Sequence, residues 1–176
     1  MTDRRSDQDA LYAAAAQGFG GAIARLARGY EADPELRRDL VQEIHTALWR
    51  SFAYFERQCS ERSWVYRVAH NVAVSHLVAR RRLKPESFAT LEQIDALADD
   101  GDLENEAAER RTVERLLATI HRLAPADRQV ILLYLEDLSA AEIGEVTGMT
   151  AGAVAVRIHR VKALLARAFS EQGDAA

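Results

Sequence analysis

Two stretches of the chain contain positively charged side chains and no acidic residue. Residues 62–82 contain five arginines and no Asp or Glu, and residues 150–168 contain three arginines and one lysine. Guanidinium and ammonium groups bind phosphate oxygens, and an arginine can also make paired hydrogen bonds to the edge of a guanine. The chemistry that these windows support is therefore contact with a nucleic acid.

The overall charge of the chain hides these basic windows. The 176 residues have a formal net charge of −4, but residues 84–106 alone hold eight acidic residues and one lysine. Local basic patches, rather than net charge, form the electrostatic footprint for DNA. The acidic segment begins with Lys84-Pro85, contains "DDGD" and lacks a sustained helical stripe, so we interpret it as a tether between two helical units.

Composition excludes several classes of protein. Apolar residues make up 48% of the chain, which is enough for a buried core, yet no apolar run approaches the ~20 residues that span a bilayer. The first ten residues, "MTDRRSDQDA", lack the apolar centre of a signal peptide. Cys59 is the single cysteine and has no partner for a disulfide. We therefore expect a cytoplasmic, reduced protein without membrane insertion.

The first unit has the pattern of three helices, and few prolines interrupt the chain as a whole. One helix is expected over residues 8 to 29. A second should begin at Pro34 with Asp33 as its N-cap, and a third should follow Ser60 or Ser63. The second helix has apolar residues at i, i+4 spacing, which indicates a buried face. This stripe consists of Leu36, Leu40, Ile44 and Leu48.

The second unit should contain four helices, of which the last two are signalled by their caps. Ser139 and Glu142 have the spacing of a capping box, and Gly148 suits the left-handed position that ends a helix. Thr150 can cap the next helix. Two capped helices around a short turn with Gly form the unit that inserts a helix into the major groove of DNA. An ordinary helical hairpin would carry the same caps, but the acid-free, arginine-bearing face favours DNA binding.

The last helix divides into two faces on a helical wheel. The inward face comprises Val154, Ile158, Val161 and Leu165. The opposite face is centred on Val156, with Gly152, His159, Arg160 and Ala163 around it and Arg157 on a flank. Small side chains permit close approach to the groove, and a valine can contact a thymine methyl group. We therefore expect phosphate contacts from the arginines and few hydrogen bonds to bases.

Four quoted stretches together resemble a known family. They are "DLVQEIHTALWRSF", "RSWVYRVAHNVAVSHLVARRR", "LAPADRQVILLYLEDLSAAEIGEVTGMT" and "RIHRVKALL". They look like the second and fourth conserved regions of bacterial RNA polymerase sigma factors of the extracytoplasmic-function type, over most of residues 20–169. The resemblance implies an all-α fold of two small helical domains, of three and four helices. A region-2-like domain would span 8–83, an acidic linker 84–106, and a region-4-like helix-turn-helix domain 107–172.

The resemblance also implies roles for particular residues. Contacts with the polymerase clamp fall on Asp39, Leu40, Val41, Gln42 and Glu43. Contacts with the minus-ten promoter element fall on Trp64, Arg67, Asn71, Arg80, Arg81 and Arg82. Contacts with the minus-thirty-five element fall on Thr150, Gly152, Ala153, Val156, Arg157, His159 and Arg160. Four aromatic residues could replace the stacking of an opened base: Phe52, Tyr54, Phe55 and Trp64.

The chain departs from the family pattern at three positions. Ser75 stands where an acidic residue often precedes the histidine, and Ala155 and Val156 stand where polar or basic residues are usual. The same positions favour an alternative, a sigma-like mimic that binds an anti-sigma factor without productive DNA binding. The retained "DLVQE" motif and both arginine clusters oppose it.

Two further alternatives explain less of the sequence. An enzyme would need a phosphate loop, a dinucleotide fingerprint or a metal-binding pair, and none is found; the five histidines are dispersed. A single helix-turn-helix repressor would leave the first unit unexplained. We therefore expect a transcription initiation factor, not an enzyme, without cofactor or metal. Its expected partners are core RNA polymerase, promoter DNA and an anti-sigma factor, with the polymerase holding the two DNA-binding units apart.

Overall fold

The computed structural model describes residues 2–83 and 105–170, with side chains over 5–80 and 110–167. These ranges contain seven α-helices and no strand. The helices are α1 Thr2–Tyr30, α2 Pro34–Phe52, α3 Glu61–Leu83, α4 Asn105–Arg122, α5 Pro125–Leu135, α6 Ala140–Thr147 and α7 Ala151–Ser170. The all-α expectation is confirmed, although α1 begins well before residue 8. Most of the segment read as a tether lies outside the described residues.

Helix α2 begins where its capping residues predict. The carboxylate of Asp33 accepts hydrogen bonds from the backbone amides of Glu35 at 2.8 Å and Leu36 at 3.2 Å, and Pro34 occupies the first helical position, where no amide donor is needed. Its apolar stripe is buried against α1 and α3. The buried members are Leu40, Ile44, Leu48 and Phe52, while Leu36 is half-buried.

Helix α3 is capped by Ser60 rather than Ser63. The hydroxyl of Ser60 accepts the backbone amide of Ser63 at 3.0 Å, and Glu61 is the first helical residue. On the inward face of α3, the Nδ1 atom of the buried His70 ring is hydrogen-bonded to the Tyr30 hydroxyl of α1 at 2.9 Å. Burial lowers the pKa of His70 to about 3, so the ring is neutral. Helices α1, α2 and α3 thus form one packed unit.

Local signals also set the ends of α6 and α7. Ser139 and Glu142 form the reciprocal capping box, and Gly148 ends α6 at φ 77°, which a residue with a β-carbon adopts only with strain. The Thr150 hydroxyl accepts the backbone amide of Ala153 at 3.2 Å at the start of α7. Val154 and Val161 then anchor the inward face of α7 in the core. Helices α6 and α7 therefore form the helix-turn-helix that the sequence predicted.

The two units pack directly against each other. α1 and α3 of the first unit contact α4, α5 and α6 of the second. Gly29 of α1 permits this approach, because a β-carbon there would lie 2.4 Å from a methyl group of Leu132 in α5. The buried Arg128 guanidinium donates to the backbone carbonyls of Leu123 at 3.3 Å and Tyr30 at 3.5 Å. The two helical units are therefore in direct contact, which the sequence did not indicate.

Candidate polymerase and nucleic-acid interfaces

The outward face of α7 is accessible and basic. Gly152, Ala153, Ala155 and Val156 are exposed at its start, followed by further exposed residues. These are His159, Arg160 and Lys162. The helix contains no acidic residue at all. A capped helix with this surface, preceded by α6 and a short turn, has the geometry of a recognition helix for the major groove.

Arg157 differs from the other cations of α7 because it has an acidic partner in the chain. Its Nη1 donates to Asp127 Oδ1 at 2.6 Å, and the two side chains are 35% and 15% exposed. This ion pair links the recognition helix to the first turn of α5. Arg157 was predicted on a flank of the reading face, and the structure holds it there, half-buried.

The predicted cationic surface of α3 is partly engaged within the chain. Arg67 donates to the backbone carbonyl of Glu145 in α6 at 2.6 Å. Arg80 donates to the carboxylate of Glu31, which is itself only 1% exposed. Asn71 is exposed, as expected from sequence. The side chains of Arg81 and Arg82 lie outside the described residues.

The aromatic residues between α2 and α3 differ in accessibility. Phe52 is buried, Phe55 and Trp64 are half-buried with ring centroids 5.1 Å apart, and Tyr54 is 77% exposed. The indole of Trp64 donates to the Ser51 hydroxyl at 3.0 Å, which fixes its orientation. Of these four rings, Tyr54 is the one presented to solvent.

An open cleft of about 850 Å³ lies beside Tyr54. One wall is the segment from Phe52 to Arg57, and the other is the first half of α1, including Gln8 and Leu11. Arg57 has a positive φ of 59° in this segment. The cleft therefore places aromatic, polar and cationic groups around a space large enough for a nucleobase.

The "DLVQE" motif lies on α2 with one member inside and three outside. Leu40 is fully buried, Val41 is half-buried, and Asp39, Gln42 and Glu43 are exposed. This alternation follows the helical period, because Leu40 belongs to the buried stripe. Two carboxylates and an amide on adjacent turns form a polar surface that a protein partner could contact.

Glu136, just after α5, is the centre of the contact between the units. Its carboxylate accepts two hydrogen bonds from Arg25, at 2.6 and 2.7 Å, and one from the Tyr66 hydroxyl at 3.3 Å. Its backbone carbonyl accepts Arg62 Nη2 at 2.6 Å. Burial, together with the Glu136 charge, raises the pKa of Tyr66 to about 12. One residue of the second unit thus engages α1 and α3 together.

Glu31 organises a second charged cluster behind α3. Burial would raise the pKa of Glu31, but hydrogen bonds from Arg80, the Asp33 amide and His76 lower it below its usual value. The His76 Nε2 atom lies 3.2 Å from Glu31 Oε2 and its Nδ1 lies 4.0 Å from Glu43 Oε2. This cluster fixes the middle of α3 against the end of α1.

Sequence patterns did not reveal these acidic partners. Glu31, Asp127 and Glu136 pair with cations 30 to 111 positions away in the chain. Such pairs depend on how helices pack, so a single sequence carries no local signal for them.

The described ranges show neither a metal-binding group nor a membrane-spanning helix. No group of three or more His, Cys, Asp or Glu side chains that could hold a metal occurs among the described residues. Within the same part of the chain, no helix is both long and apolar enough to cross a membrane. Cys59 is a half-buried free thiol.

Comparison with known families matches both units of this fold. The family model "Sigma-70 region 2" matches residues 17–83, and "Sigma-70, region 4" matches residues 113–165. The chain is 31% identical to the RNA polymerase sigma-H factor of Pseudomonas aeruginosa over 144 residues, which cover 78% of this chain and 75% of the relative.

The chain belongs to the sigma-70 family, as a factor of ECF type. The ECF RNA polymerase sigma-E factor of Haemophilus influenzae is 30% identical over 135 residues, 72% of this chain and 71% of that one. A solved structure of CnrH in complex with the cytosolic domain of CnrY has the same fold, with a TM-score of 0.67 and 23% identity. It covers 94% of this chain and 91% of the solved chain.

Family membership supplies the function. A sigma factor is a transcription initiation factor that directs RNA polymerase to promoters, and the matched regions include both helical units of this chain. The interpretation as a transcription factor with RNA polymerase and promoter DNA as partners is confirmed at this level. A mimic without productive DNA binding is not favoured.

Proposed function

We propose that this sigma factor uses three separate surfaces during initiation. The exposed part of the "DLVQE" motif, Asp39 with Gln42 and Glu43, would contact the polymerase clamp. Helix α3 and the cleft beside Tyr54 would handle the minus-ten element, and α7 would read the minus-thirty-five element. The observation that carries the proposal is the acid-free outward face of α7, exposed behind a capped helix-turn-helix.

In the cleft, Tyr54 is the best candidate for stacking on an opened base. It is 77% exposed, whereas Phe52 is buried. A base that leaves the duplex loses its stacking partners, and an aromatic ring restores roughly 1–3 kcal/mol of that interaction. Arg57 and Gln8, which also line the cleft, would offer contacts to a phosphate or a base edge.

The two units must separate before both promoter elements can be bound together. The elements are centred roughly 25 base pairs apart, which is about 85 Å along B-form DNA at 3.4 Å per base pair. In the present arrangement α3 and α6 are in direct contact through Arg67 and Glu145. We therefore infer that the packed arrangement is the resting form and that polymerase binding stabilises an open form.

The chain between the units is long enough for this separation. Twenty-one residues lie between Leu83 and Asn105, and an extended chain of that length spans at most ~75 Å. The dimensions of the two units add to this reach. The polymerase, rather than the connection, would set the distance between the DNA-binding surfaces, as in any linked pair of binding modules.

A regulatory protein partner also fits the comparison with CnrH, whose solved structure contains the cytosolic domain of CnrY. We propose that an anti-sigma factor binds this chain in its packed form and keeps the units together. Because polymerase and chromosome are its other partners, the chain would act in the cytoplasm. If the chain alone were fully active in cells, with no inhibitor restraining it, this part of the proposal would be wrong.

Run-off transcription with purified core polymerase over a genomic library of promoters tests the proposed function. We expect a defined set of transcripts that depends on the added chain. A chain that binds an inhibitor but yields no transcripts with core enzyme would support the mimic instead.

The polymerase surface has its own test. Asp39→Ala with Glu43→Ala should weaken co-elution with core polymerase by about tenfold or more, because charged contacts at an interface commonly contribute several kcal/mol. Glu114→Ala, an exposed acidic residue on α4, is the matched control and should bind as wild type. Unaltered co-elution of the double variant would remove this assignment.

A further inference from the structure

The first six residues of α7, 151–156, present no polar side chain to the outside. The exposed residues there include Gly152, Ala153, Ala155 and Val156, and Val156 is 59% exposed. Apart from the adjoining residues and backbone of α7 itself, no atom lies within 4 Å of where a β-carbon of Gly152 would stand, so the surface in front of it is open. In a helix-turn-helix these N-terminal residues are the ones that reach base edges.

The hydrogen-bonding groups nearest to this surface are engaged or lie further along the helix. The Thr150 hydroxyl accepts the Ala153 amide, and Arg157 is held by Asp127. His159 and Arg160 are exposed but come one turn later. The leading surface therefore has neither a donor nor an acceptor side chain for reading base edges.

One feature of the major groove is readable by apolar side chains. It is the C5-methyl group of thymine, which Ala and other apolar groups contact directly. Arg160 and Lys162 flank the surface, and α7 contains no acidic residue, so its charge complements a duplex. We infer that Val156, assisted by Ala155, gives this factor its base preference in the upstream promoter element by contacting thymine methyl groups there. This inference rests on the proposed function and names what that site reads.

Replacing thymine by uracil tests the inference, because the two bases differ only in this methyl group. The template is the strongest promoter recovered in the run-off experiment, remade with deoxyuridine in place of thymidine in the upstream element alone. The control template carries deoxyuridine only in the spacer between the two elements. Burial of one methyl group corresponds to roughly a three- to fivefold change in binding, so wild-type promoter use should fall by about that factor for each contacted thymine.

Two variants connect the effect to Val156. Val156→Ala should reduce use of the thymine template and make the thymine and uracil templates equivalent. The fold should be preserved, because Val156 lies on the surface and alanine favours helices. Val113→Ala makes the same change at an exposed site on α4 and should keep the wild-type preference for thymine.

The possible outcomes separate this inference from the proposed function. Equal use of the thymine and uracil templates by wild-type protein would overturn the inference alone. An upstream element without any A·T pair, or a Val156→Ala variant that still prefers thymine, would also overturn it. If the run-off experiment recovered no promoter that depends on the added chain, the proposed function would fail and the inference with it.

Discussion

The two cationic helices of this sigma factor, α3 and α7, differ in what surrounds their positive charges. On α3, Arg67 and Arg80 donate to groups of the chain itself. On α7, Arg160 is exposed, Lys162 is exposed while it donates to the Tyr134 hydroxyl at 3.2 Å, and Arg157 is tied to Asp127 at the rim. The α3 arginines contact the other unit or the end of α1, whereas the partners of Arg157 and Lys162 both lie on α5 and leave the outward face of α7 exposed.

This difference suggests an order of events. The α7 surface is available to DNA in the packed form, whereas α3 is in contact with the second unit through Arg62 and Arg67. A surface whose hydrogen bonds are already made must exchange them before it binds a new partner. We therefore expect that α3 can bind DNA only after the junction between the units opens. The groove-reading surface of α7 should not depend on this opening.

Removing the Glu136 carboxylate should give the largest of the graded effects. Glu136→Ala deletes the acceptor of Arg25 and Tyr66, and hydrogen bonds to charged groups each contribute roughly 1.5–3 kcal/mol. Because Arg25 is well exposed, we expect a loss near the lower end, about 2 kcal/mol, in the contact between the units. The packed form would weaken, and the apparent affinity for core polymerase in a promoter complex should rise by up to about thirtyfold.

A fluorescence titration of the chain with core polymerase, in the presence of promoter DNA, measures this change in apparent affinity. Glu35→Ala is the control, since its ion pair with Arg38 is exposed on both sides and should contribute almost nothing. Unchanged or weaker binding by Glu136→Ala, in a variant with wild-type helix content, would contradict the idea of a closed resting form.

Acid should weaken the first unit and the junction more than the helix-turn-helix. His70 has a folded pKa of about 3, below its ordinary 6.5, so the unfolded chain binds the proton more readily and stability falls as pH falls between these values. Burial also lowers the pKa of His45 and His121. Between pH 7.5 and pH 5, His70 alone should remove about 2 kcal/mol from the free energy of unfolding.

Urea unfolding at the two pH values measures the effect, and His70→Asn should show a correspondingly smaller difference. The contribution of Glu31 does not enter this window, because its lowered pKa keeps it ionised above pH 4.5. An identical pH dependence in His70→Asn and wild type would exclude His70 as the source. If amide hydrogen exchange showed equal losses of protection on acidification in α6–α7 and in α1–α3, the predicted difference in acid sensitivity between the units would be wrong.

The smallest effect distinguishes the cations of α7 from one another. Arg160→Ala should remove one phosphate contact, which lowers the salt slope of promoter binding by about 0.9. Arg157→Ala should change the slope less, because Arg157 is bound to Asp127. Asp127→Ala would release that arginine and should increase the slope.

Binding of a promoter duplex by the polymerase complex at several salt concentrations measures these slopes. Equal slopes for Arg157→Ala and Arg160→Ala would show that the ion pair with Asp127 does not survive on DNA.

The sequence predicts helix caps and apolar faces, which depend on neighbouring residues, but it does not predict the ion pairs between the units. The caps at Asp33, Ser139 and Gly148 involve neighbours within a few residues, so they can be recognised without a structure. The inward stripe of α2 follows from its period in the same way. By contrast, the partner of Arg25 is Glu136, 111 residues away, and nothing near either residue signals the pair.

The same limit applies to the candidate sites. The sequence indicated which residues lie on α3 and α7, and the structure shows most of them on the expected faces. The sequence did not indicate that Arg80 would donate to Glu31 or that Arg157 would donate to Asp127. Whether an arginine is available depends on the acids that packing brings to it, and this information resides in the fold.

The most direct test of the closed resting form is a reversible lock across the junction. A β-carbon at position 29 would lie 3.2 Å from Leu132 Cγ, close to where the sulfur of a cysteine at 132 would stand, so this pair suits a disulfide. The variant combines Gly29→Cys and Leu132→Cys with Cys59→Ser. Its reduced form should support promoter-specific transcription, and its oxidised form should support none while still folding. Full transcription by the oxidised protein would contradict the account.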